Sequence, residues 1–99
     1  MQPLSKEDIQ KELANYAGWS LIDQEGVTTL VREIIGKDFV QAFAIMTQIA
    51  ILAEKQDHHP DWTQIYNKIQ IRLSTHDARG VTIKDFALAK VINQIHPPK

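Results

Sequence analysis

The segment Glu54–Trp62, with the sequence EKQDHHPDW, lies between the longest apolar-periodic stretch of the chain and a predicted hairpin. Pro60 lacks a backbone donor and disfavours helical geometry in the residue before it, so the helix must end at the adjacent His58 and His59. The segment also places two of the four histidines of the chain close to two carboxylates. Because imidazoles titrate near neutral pH, the turn that ends the helix is also a candidate site for acid–base chemistry.

The long helix before this segment is predicted to begin at an Asp38 cap and to run to Lys55 or Asp57. Apolar residues recur at three- and four-residue steps, which predicts one buried face. The residues assigned to that face are Phe39, Ala42, Phe43, Met46, Ala50 and Ala53. Glu54 lies about 60° from Phe39 on a helical wheel of ~100° per residue. We therefore expect Glu54 to border the buried face.

Two hairpins flank this helix. Their predicted strands are Trp19–Asp23, Val27–Ile35, Trp62–Tyr66 and Ile69–Thr75. Gln24-Glu25-Gly26 is the first predicted turn and Asn67-Lys68 the second. In the last strand, alternation puts the apolar residues and Thr75 on one face and the polar residues, including His76, on the other.

Capping patterns predict a helix at each end of the chain. Ser5 and Asp8 have capping-box spacing, and the first helix is predicted from Lys6 to Tyr16. Thr82 and Asp85 have the same spacing at the start of the last helix, so we interpret Asp85 as a capping residue. The apolar stripe of that helix is Leu88, Val91, Ile92 and Ile95.

The predicted order is α-β-β-α-β-β-α within a single domain, residues 1–99. Short hairpin connections make each strand pair antiparallel, and three amphipathic helices need an apolar sheet face to cover. The sequence therefore predicts an α+β fold in which a four-stranded antiparallel sheet carries three helices on one face.

The composition excludes several classes of function. The formal net charge is −1, which gives no overall attraction to nucleic acid, and zero cysteines exclude thiol catalysis and disulfides. No apolar run approaches the length of a membrane span, and the N-terminus lacks a signal core. We expect a cytoplasmic protein that binds neither membranes nor nucleic acid directly.

The histidines have more than one interpretation. His58 and His59 could be loop residues, Glu54 a solvated acid, and His76 an exposed strand-end residue. Alternatively, the second hairpin could return His76 to the end of the long helix, so that three imidazoles meet. Since adjacent residues in extended chain point to opposite sides, His58 and His59 suit two roles around a flat substrate. A zinc site on the same residues lacks a recognised spacing.

The spacing of these residues resembles that of a known family. The motif residues are Glu54, His58, His59, Pro60, Tyr66, His76 and Asp85, separated by three, none, none, five, nine and eight residues. This pattern resembles the signature of the pterin-4a-carbinolamine dehydratases, and the likeness covers nearly the whole chain. That family has a four-stranded antiparallel sheet and three helices, as derived above.

The resemblance implies a hydro-lyase. Such an enzyme dehydrates 4a-hydroxytetrahydrobiopterin to quinonoid dihydrobiopterin and water, in the recycling of tetrahydrobiopterin, and needs no metal or organic cofactor. It implies three catalytic histidines, with His58 and His76 as candidate general acids and His59 mainly in binding. The residues implied in substrate binding are Glu54, Asp57, Pro60, Trp62, Thr75, Asp77 and Ala78.

The resemblance also implies partners. Besides the pterin, these are a second copy of the chain, in a homodimer or homotetramer, and a functional link to an aromatic amino acid hydroxylase. Animal members of the family also act as dimerisation cofactors of a transcription factor. An interaction module on the same scaffold is therefore the alternative to an enzyme.

Overall fold

The structure, a computed structural model, describes all residues 1–99 and has the predicted element order. The elements are α1 (Lys6–Leu13), β1 (Ser20–Gln24), β2 (Val27–Ile35), α2 (Phe39–Gln56), β3 (Asp61–Ile65), β4 (Lys68–Leu73) and α3 (Ile83–Ile95). The predicted α+β class and the order α-β-β-α-β-β-α are therefore confirmed.

The four strands form one antiparallel sheet in the order β1-β2-β4-β3. The two longest strands, β2 and β4, are central, and Leu30 pairs with Leu73 while Ile34 pairs with Ile69. Their side chains point to the same face and are fully or almost fully buried. This register joins the two hairpins through a continuous apolar surface, which the helices cover.

The core lies between that sheet face and the helices. Its members are Ile9, Trp19, Leu30, Ile34, Ala42, Ile45, Ile49, Ala53, Ile69, Ile71, Leu73, Val81, Phe86, Leu88, Ala89 and Ile92. The opposite sheet face has no helix and carries polar side chains such as Gln70, Arg72 and Ser74. None of the three helices has the length and apolar character that crossing a bilayer would require.

The buried face predicted for α2 is partly wrong. Its buried residues are Ala42, Ile45, Ile49 and Ala53. Phe39 and Phe43 are 52% and 58% exposed, Ala50 is also exposed, and Met46 is half-buried. The helix is apolar on two sides, so periodicity could not distinguish the stripe that meets the sheet from a second stripe facing outward. Glu54 is correspondingly exposed rather than bordering the core.

Several boundaries differ from prediction by a few residues. Helix α1 ends at Leu13 because the N–H groups of Asn15 and Tyr16 bond to carbonyls three residues back, which tightens the chain into turns. The second hairpin turns at Tyr66-Asn67, one residue early, with Tyr66 at φ 50°. Strand β4 ends at Leu73, since beyond it Thr75 pairs only with Gly80 in an isolated bridge.

A buried arginine joins the sheet to the last helix. Arg32 is 4% exposed, and it donates from Nη1 to Asn93 Oδ1 (2.7 Å) and from Nη2 to the His96 carbonyl (2.6 Å). Asn93 Oδ1 also accepts from Trp19 Nε1 at 3.0 Å, and its Nδ2 donates to the Ala17 carbonyl. No carboxylate lies within ion-pair distance of Arg32, and burial lowers the pKa of its guanidinium. Asn93 is therefore the side chain that accepts a hydrogen bond from the buried guanidinium of Arg32.

Replacing Asn93 with Ala removes the shared acceptor and leaves a donor of Arg32 and the indole N–H of Trp19 unpaired. We expect Asn93→Ala to lower the free energy of unfolding by about 2–4 kcal/mol, measured by urea denaturation. Gln94→Ala, at the exposed neighbouring position, is the matched control and should cost under about 0.5 kcal/mol. Equal losses in the two variants would contradict this role for Asn93.

Candidate functional site

The exit from α2 directs its two following histidines differently. Asp57 caps the helix in the left-handed conformation (φ 53°, ψ 42°), which aspartate tolerates better than most residues, and its N–H bonds to the Ala53 and Glu54 carbonyls. The next N–H, from His58, bonds to the Ala53 carbonyl at 3.1 Å. This tight reversal turns the His58 side chain inward, where it is 12% exposed, and leaves that of His59 outside at 57%.

His58 contacts a buried carboxylate on the last helix. Its Nε2 lies 2.5 Å from Oδ1 of Asp85, which is fully buried. When the carboxylate is ionised it has no hydrogen to donate, and His58 Nε2 is then the donor. The other ring nitrogen, Nδ1, makes no hydrogen bond with the protein. Asp85 thus fixes the orientation of the ring and leaves Nδ1 available to exchange a proton with a ligand.

The second oxygen of Asp85 is held by the start of α3 and the end of β4. Oδ2 accepts from the Thr82 N–H and from Thr75 Oγ1, each at 2.8 Å. The Thr75 hydroxyl has one hydrogen and donates it to Asp85. In the 2.6 Å contact between the two threonine hydroxyls, Thr82 must therefore be the donor. Thr82 Oγ1 in turn accepts from the Lys84 N–H. No buried side-chain nitrogen or oxygen of this network lacks a partner.

The predicted capping box of α3 is confirmed: the Thr82 and Asp85 side chains cap each other's backbone. Capping is only part of what Asp85 does, since its other oxygen meets His58. Sequence reasoning missed this contact because the capping-box spacing alone accounted for the aspartate. The signal that could have revealed it was the presence of Asp85 in the family pattern together with His58.

His59 pairs with Glu54 on the surface. Nε2 of His59 lies 2.8 Å from Glu54 Oε1, and the Glu54 side chain is 80% exposed. A side-chain contact this open to water is weakly held. The two side chains can therefore rearrange around a ligand at little cost.

His76 lies on a short loop that follows β4. The loop is closed by bonds from the Thr75 N–H to the Gly80 carbonyl (2.9 Å), from Ala78 to Thr75 and from Arg79 to His76 (3.1 Å each). Ala78 is buried, whereas His76 and Asp77 are exposed. The backbone N–H groups of His76 and Asp77 donate to no protein acceptor. The loop consequently presents an imidazole and two free amides to solvent.

The imidazole of His76 lines a cleft of about 220 Å³. The other lining residues are Gln24, Glu25, Val27, Thr29, Asp61, Ser74 and Arg79. Most of these side chains belong to the first hairpin and to the sheet face without helices. Sequence reasoning did not select any of them, because they come from four separate parts of the chain.

Asp61 in this cleft is neutralised by its cross-strand neighbour. Arg72 pairs with Asp61 in the β3–β4 register and donates to it from Nη2 (3.1 Å) and Nε (3.3 Å). These hydrogen bonds, together with the guanidinium charge, hold the pKa of Asp61 below its ordinary value. Arg72 is further held by Gln70.

The predicted site residues thus form separate groups in the structure. His58 joins Thr75 through Asp85, His59 joins Glu54, and His76 lies in a cleft that neither of the other histidines lines. No three histidine, aspartate or glutamate side chains lie close enough together to hold a metal ion.

The remaining candidate binding residues flank these groups. Pro60 is half-buried before β3, and the half-buried Trp62 packs against the core. Asp57 is the cap of α2, while Asp77 and Ala78 lie on the His76 loop.

Comparisons with known proteins agree with this architecture. The family model for pterin 4 alpha carbinolamine dehydratase matches residues 2–95. A candidate pterin-4-alpha-carbinolamine dehydratase of Rhodospirillum rubrum is 45% identical over 87 residues, 88% of each chain. One of Christiangramia forsetii is 45% identical over 95 residues, 96% of this chain and 94% of that one. The chain belongs to the pterin-4a-carbinolamine dehydratase family.

Two solved structures share the fold. A transcriptional coactivator/pterin dehydratase of Brucella melitensis superposes with a TM-score of 0.86 at 36% identity, over 95% of this chain and 98% of that one. A pterin dehydratase-like protein, identified as a RuBisCO assembly factor in the alpha-carboxysome, gives 0.67 at 16% identity, over 85% and 95%. The second likeness extends to the fold alone.

The Asp61–Arg72 pair gives a prediction about pH. Because the folded pKa of Asp61 is lowered, the stability it contributes is present above its ordinary pKa of 3.8 and is lost as pH falls through the folded value. In Arg72→Gln we expect the pKa of Asp61 to return toward 3.8, measured by NMR titration of its carboxyl carbon. The change in stability should be small, since the side chain is 72% exposed.

Lys11→Gln is the control for this titration, since Lys11 is exposed and pairs with Glu7 rather than with Asp61. It should leave the Asp61 titration unchanged. An Asp61 curve that is identical in the wild type and in Arg72→Gln would rule out the assigned cause.

Proposed function

We propose that the protein is a hydro-lyase that dehydrates 4a-hydroxytetrahydrobiopterin to quinonoid dihydrobiopterin and water. The observation that carries this proposal is the His58–Asp85 contact, in which a fully buried carboxylate orients an imidazole whose second nitrogen is free. Family membership supplies the substrate class. The proposal assigns the acid–base chemistry to this chain's own imidazoles.

The reaction needs a proton donor and a proton acceptor. Hydroxide is a poor leaving group, so the C4a–oxygen bond breaks most readily when a proton reaches the oxygen and water departs. The electron pair on the adjacent ring nitrogen then forms the new carbon–nitrogen double bond, and that nitrogen loses its own proton. An imidazolium can supply the first proton, and a neutral imidazole can take the second.

We assign His58 and His76 as the candidate acids and His59 to binding. The free Nδ1 of His58 and the position of His76 in a polar cleft support the first assignment. The exposed His59–Glu54 pair supports the second, as it can open to a polar ring edge. Free amides at His76 and Asp77 suit the hydrogen-bonding edge of a pterin, next to Thr75 and Ala78. Asp57, Pro60 and Trp62 complete the proposed binding set.

A physiological setting follows from this reaction. The substrate is the product of tetrahydrobiopterin-dependent hydroxylation, so the proposal includes a functional link to an aromatic amino acid hydroxylase. It also includes a cytoplasmic location, where the pterin would be recycled.

Stopped-flow decay of the carbinolamine tests the proposal. We expect the wild type to accelerate dehydration over the spontaneous rate, and His58→Ala and His76→Ala each to lower kcat by about 10²-fold or more. Asp85→Asn should lower kcat with little change in KM, because it alters the partner of His58 rather than a group that contacts substrate. Circular dichroism would establish that each variant is folded.

His96→Gln is the matched control, since the His96 side chain lies outside the candidate site, and its rate should equal that of the wild type. A wild-type protein that fails to exceed the spontaneous rate would refute the enzymatic function. Full activity in both His58→Ala and His76→Ala would refute the residue assignment.

A second candidate function is a protein-interaction module, and the outer surface of α2 favours it. Phe39, Val40, Phe43 and Ile51 are between 52% and 74% exposed on this helix. Single exposed apolar residues are common, but a periodic stripe of them marks an interaction surface. The two functions are compatible, and only the enzymatic one depends on the histidines.

We propose that this stripe binds a second copy of the chain, giving the homodimer or homotetramer that the family resemblance implies. Phe39, Phe43 and Ile51 recur at helical spacing and carry no charge, so the stripe is complementary to itself across a two-fold axis.

Phe43→Glu places a charge at the centre of the stripe and should convert the oligomer to a monomer, measured by light scattering at micromolar concentration. Ile83→Glu is the matched control, because Ile83 is 66% exposed at the start of α3, outside the stripe. It should leave the mass unchanged. A wild-type protein of monomer mass, 11.3 kDa, would refute self-association.

A further inference from the structure

Arg79 occupies a backbone conformation that normally belongs to glycine. Its φ is 55°, within the left-handed region, and it closes the His76 loop by donating its N–H to the His76 carbonyl. Glycine would adopt this conformation without strain, so the arginine side chain is kept at an energetic cost. Strain at a residue beside a candidate site is a reason to seek a use for its side chain.

The guanidinium of Arg79 has no partner in the protein. It makes no side-chain hydrogen bond and no ion pair, although it lines the cleft with His76 and Ser74. Arg72 differs, as it is committed to Asp61 and Gln70. Arg79 therefore has five N–H donors available, in a planar fork that matches carboxylate or phosphate oxygens.

Apart from the candidate acid His76, Arg79 is the one basic side chain that lines the cleft. Asp61 is compensated by Arg72, and the only other acid in the lining is Glu25, in the exposed turn between β1 and β2. An anionic group at Arg79 would meet one competing carboxylate, at the hairpin turn. The remaining lining residues other than His76 have no ionisable side chain and are mostly polar, which suits a charged, hydrated substituent.

We propose that Arg79 is a specificity residue that binds an anionic substituent on the pterin side chain, so that a 4a-hydroxytetrahydropterin with a carboxylate or phosphate there binds more tightly than 4a-hydroxytetrahydrobiopterin, whose side chain is neutral. This inference rests on the proposed function, because His76 in the same cleft is taken to face the pterin ring. It goes further by adding a charge preference among the pterins on which the same reaction can act. A charge-assisted bidentate contact gives about a 10- to 100-fold preference.

Matched ligand pairs test this inference. Pterin-6-carboxylate is compared with 6-hydroxymethylpterin, and neopterin 3′-phosphate with neopterin, using Kd values from isothermal titration calorimetry at low salt. We expect the anionic member of at least one pair to bind the wild type at least about 10-fold more tightly. The pair that shows the larger ratio identifies the anion as a carboxylate or a phosphate.

Variants then locate the preference. Arg79→Gly should bring the ratio of Kd values to about 1 while the melting temperature holds or rises, since glycine relieves the strained φ. Glu25→Gln should increase the ratio by removing the competing carboxylate. Lys84→Ala is the control, because Lys84 is an exposed cation outside the cleft, and it should leave the ratio unchanged.

The possible outcomes distinguish the role of Arg79 from the dehydratase function. Equal binding of anionic and neutral pterins by the wild type, or a preference that survives in Arg79→Gly, would overturn the role of Arg79 and leave the dehydratase intact. A protein that binds neither member of either pair would also overturn the role of Arg79, while the dehydratase function is decided by the stopped-flow rate.

Discussion

The rest of the site depends on the burial of the Asp85 carboxylate. This one side chain contacts the end of α2 through His58, the end of β4 through Thr75 and the start of α3 through Thr82. A buried carboxylate is costly unless donors surround it, and all three elements supply a donor. The orientation of His58 is therefore fixed by the same bonds that hold two helices against the sheet.

The candidate site therefore has residues on both sides of the sheet at the end of β4. Thr75 points into the buried network, whereas His76, one residue later, points out into the polar cleft. The β4 alternation, which gave Thr75 the core face and His76 the other, holds to this point and then passes into the loop closed at Gly80. At the end of α2, likewise, the His58 side chain points inward and the His59 side chain points to solvent. Each pair of neighbouring residues therefore supplies one inward-pointing and one exposed side chain.

Much of the fold could be predicted from the sequence, because its signals are local. Proline, glycine and capping residues set the element order, and alternation in β4 identified the buried side of Ile69, Ile71 and Leu73. The buried side of α2 could not be predicted, since that helix is apolar on two sides and only the tertiary packing selects one. The residue types of the candidate site could be selected from the sequence, but the contacts among them join residues as far apart as His58 and Asp85, 27 positions in sequence. Periodicity carries no information at that range.

His58 and His76 differ in burial, and this difference affects how each position can change in evolution. His58 shares its bonds with the helix cap, so its loss would disturb the buried network. His76 stands on an exposed loop whose closing bonds are all made by backbone atoms. A lineage that no longer needed the chemistry would be free to discard His76 early while still retaining Asp85 and Thr75. A preserved aspartate on this scaffold is thus explained by folding even without catalysis, whereas under the proposed function the loop histidine would be retained only for catalysis.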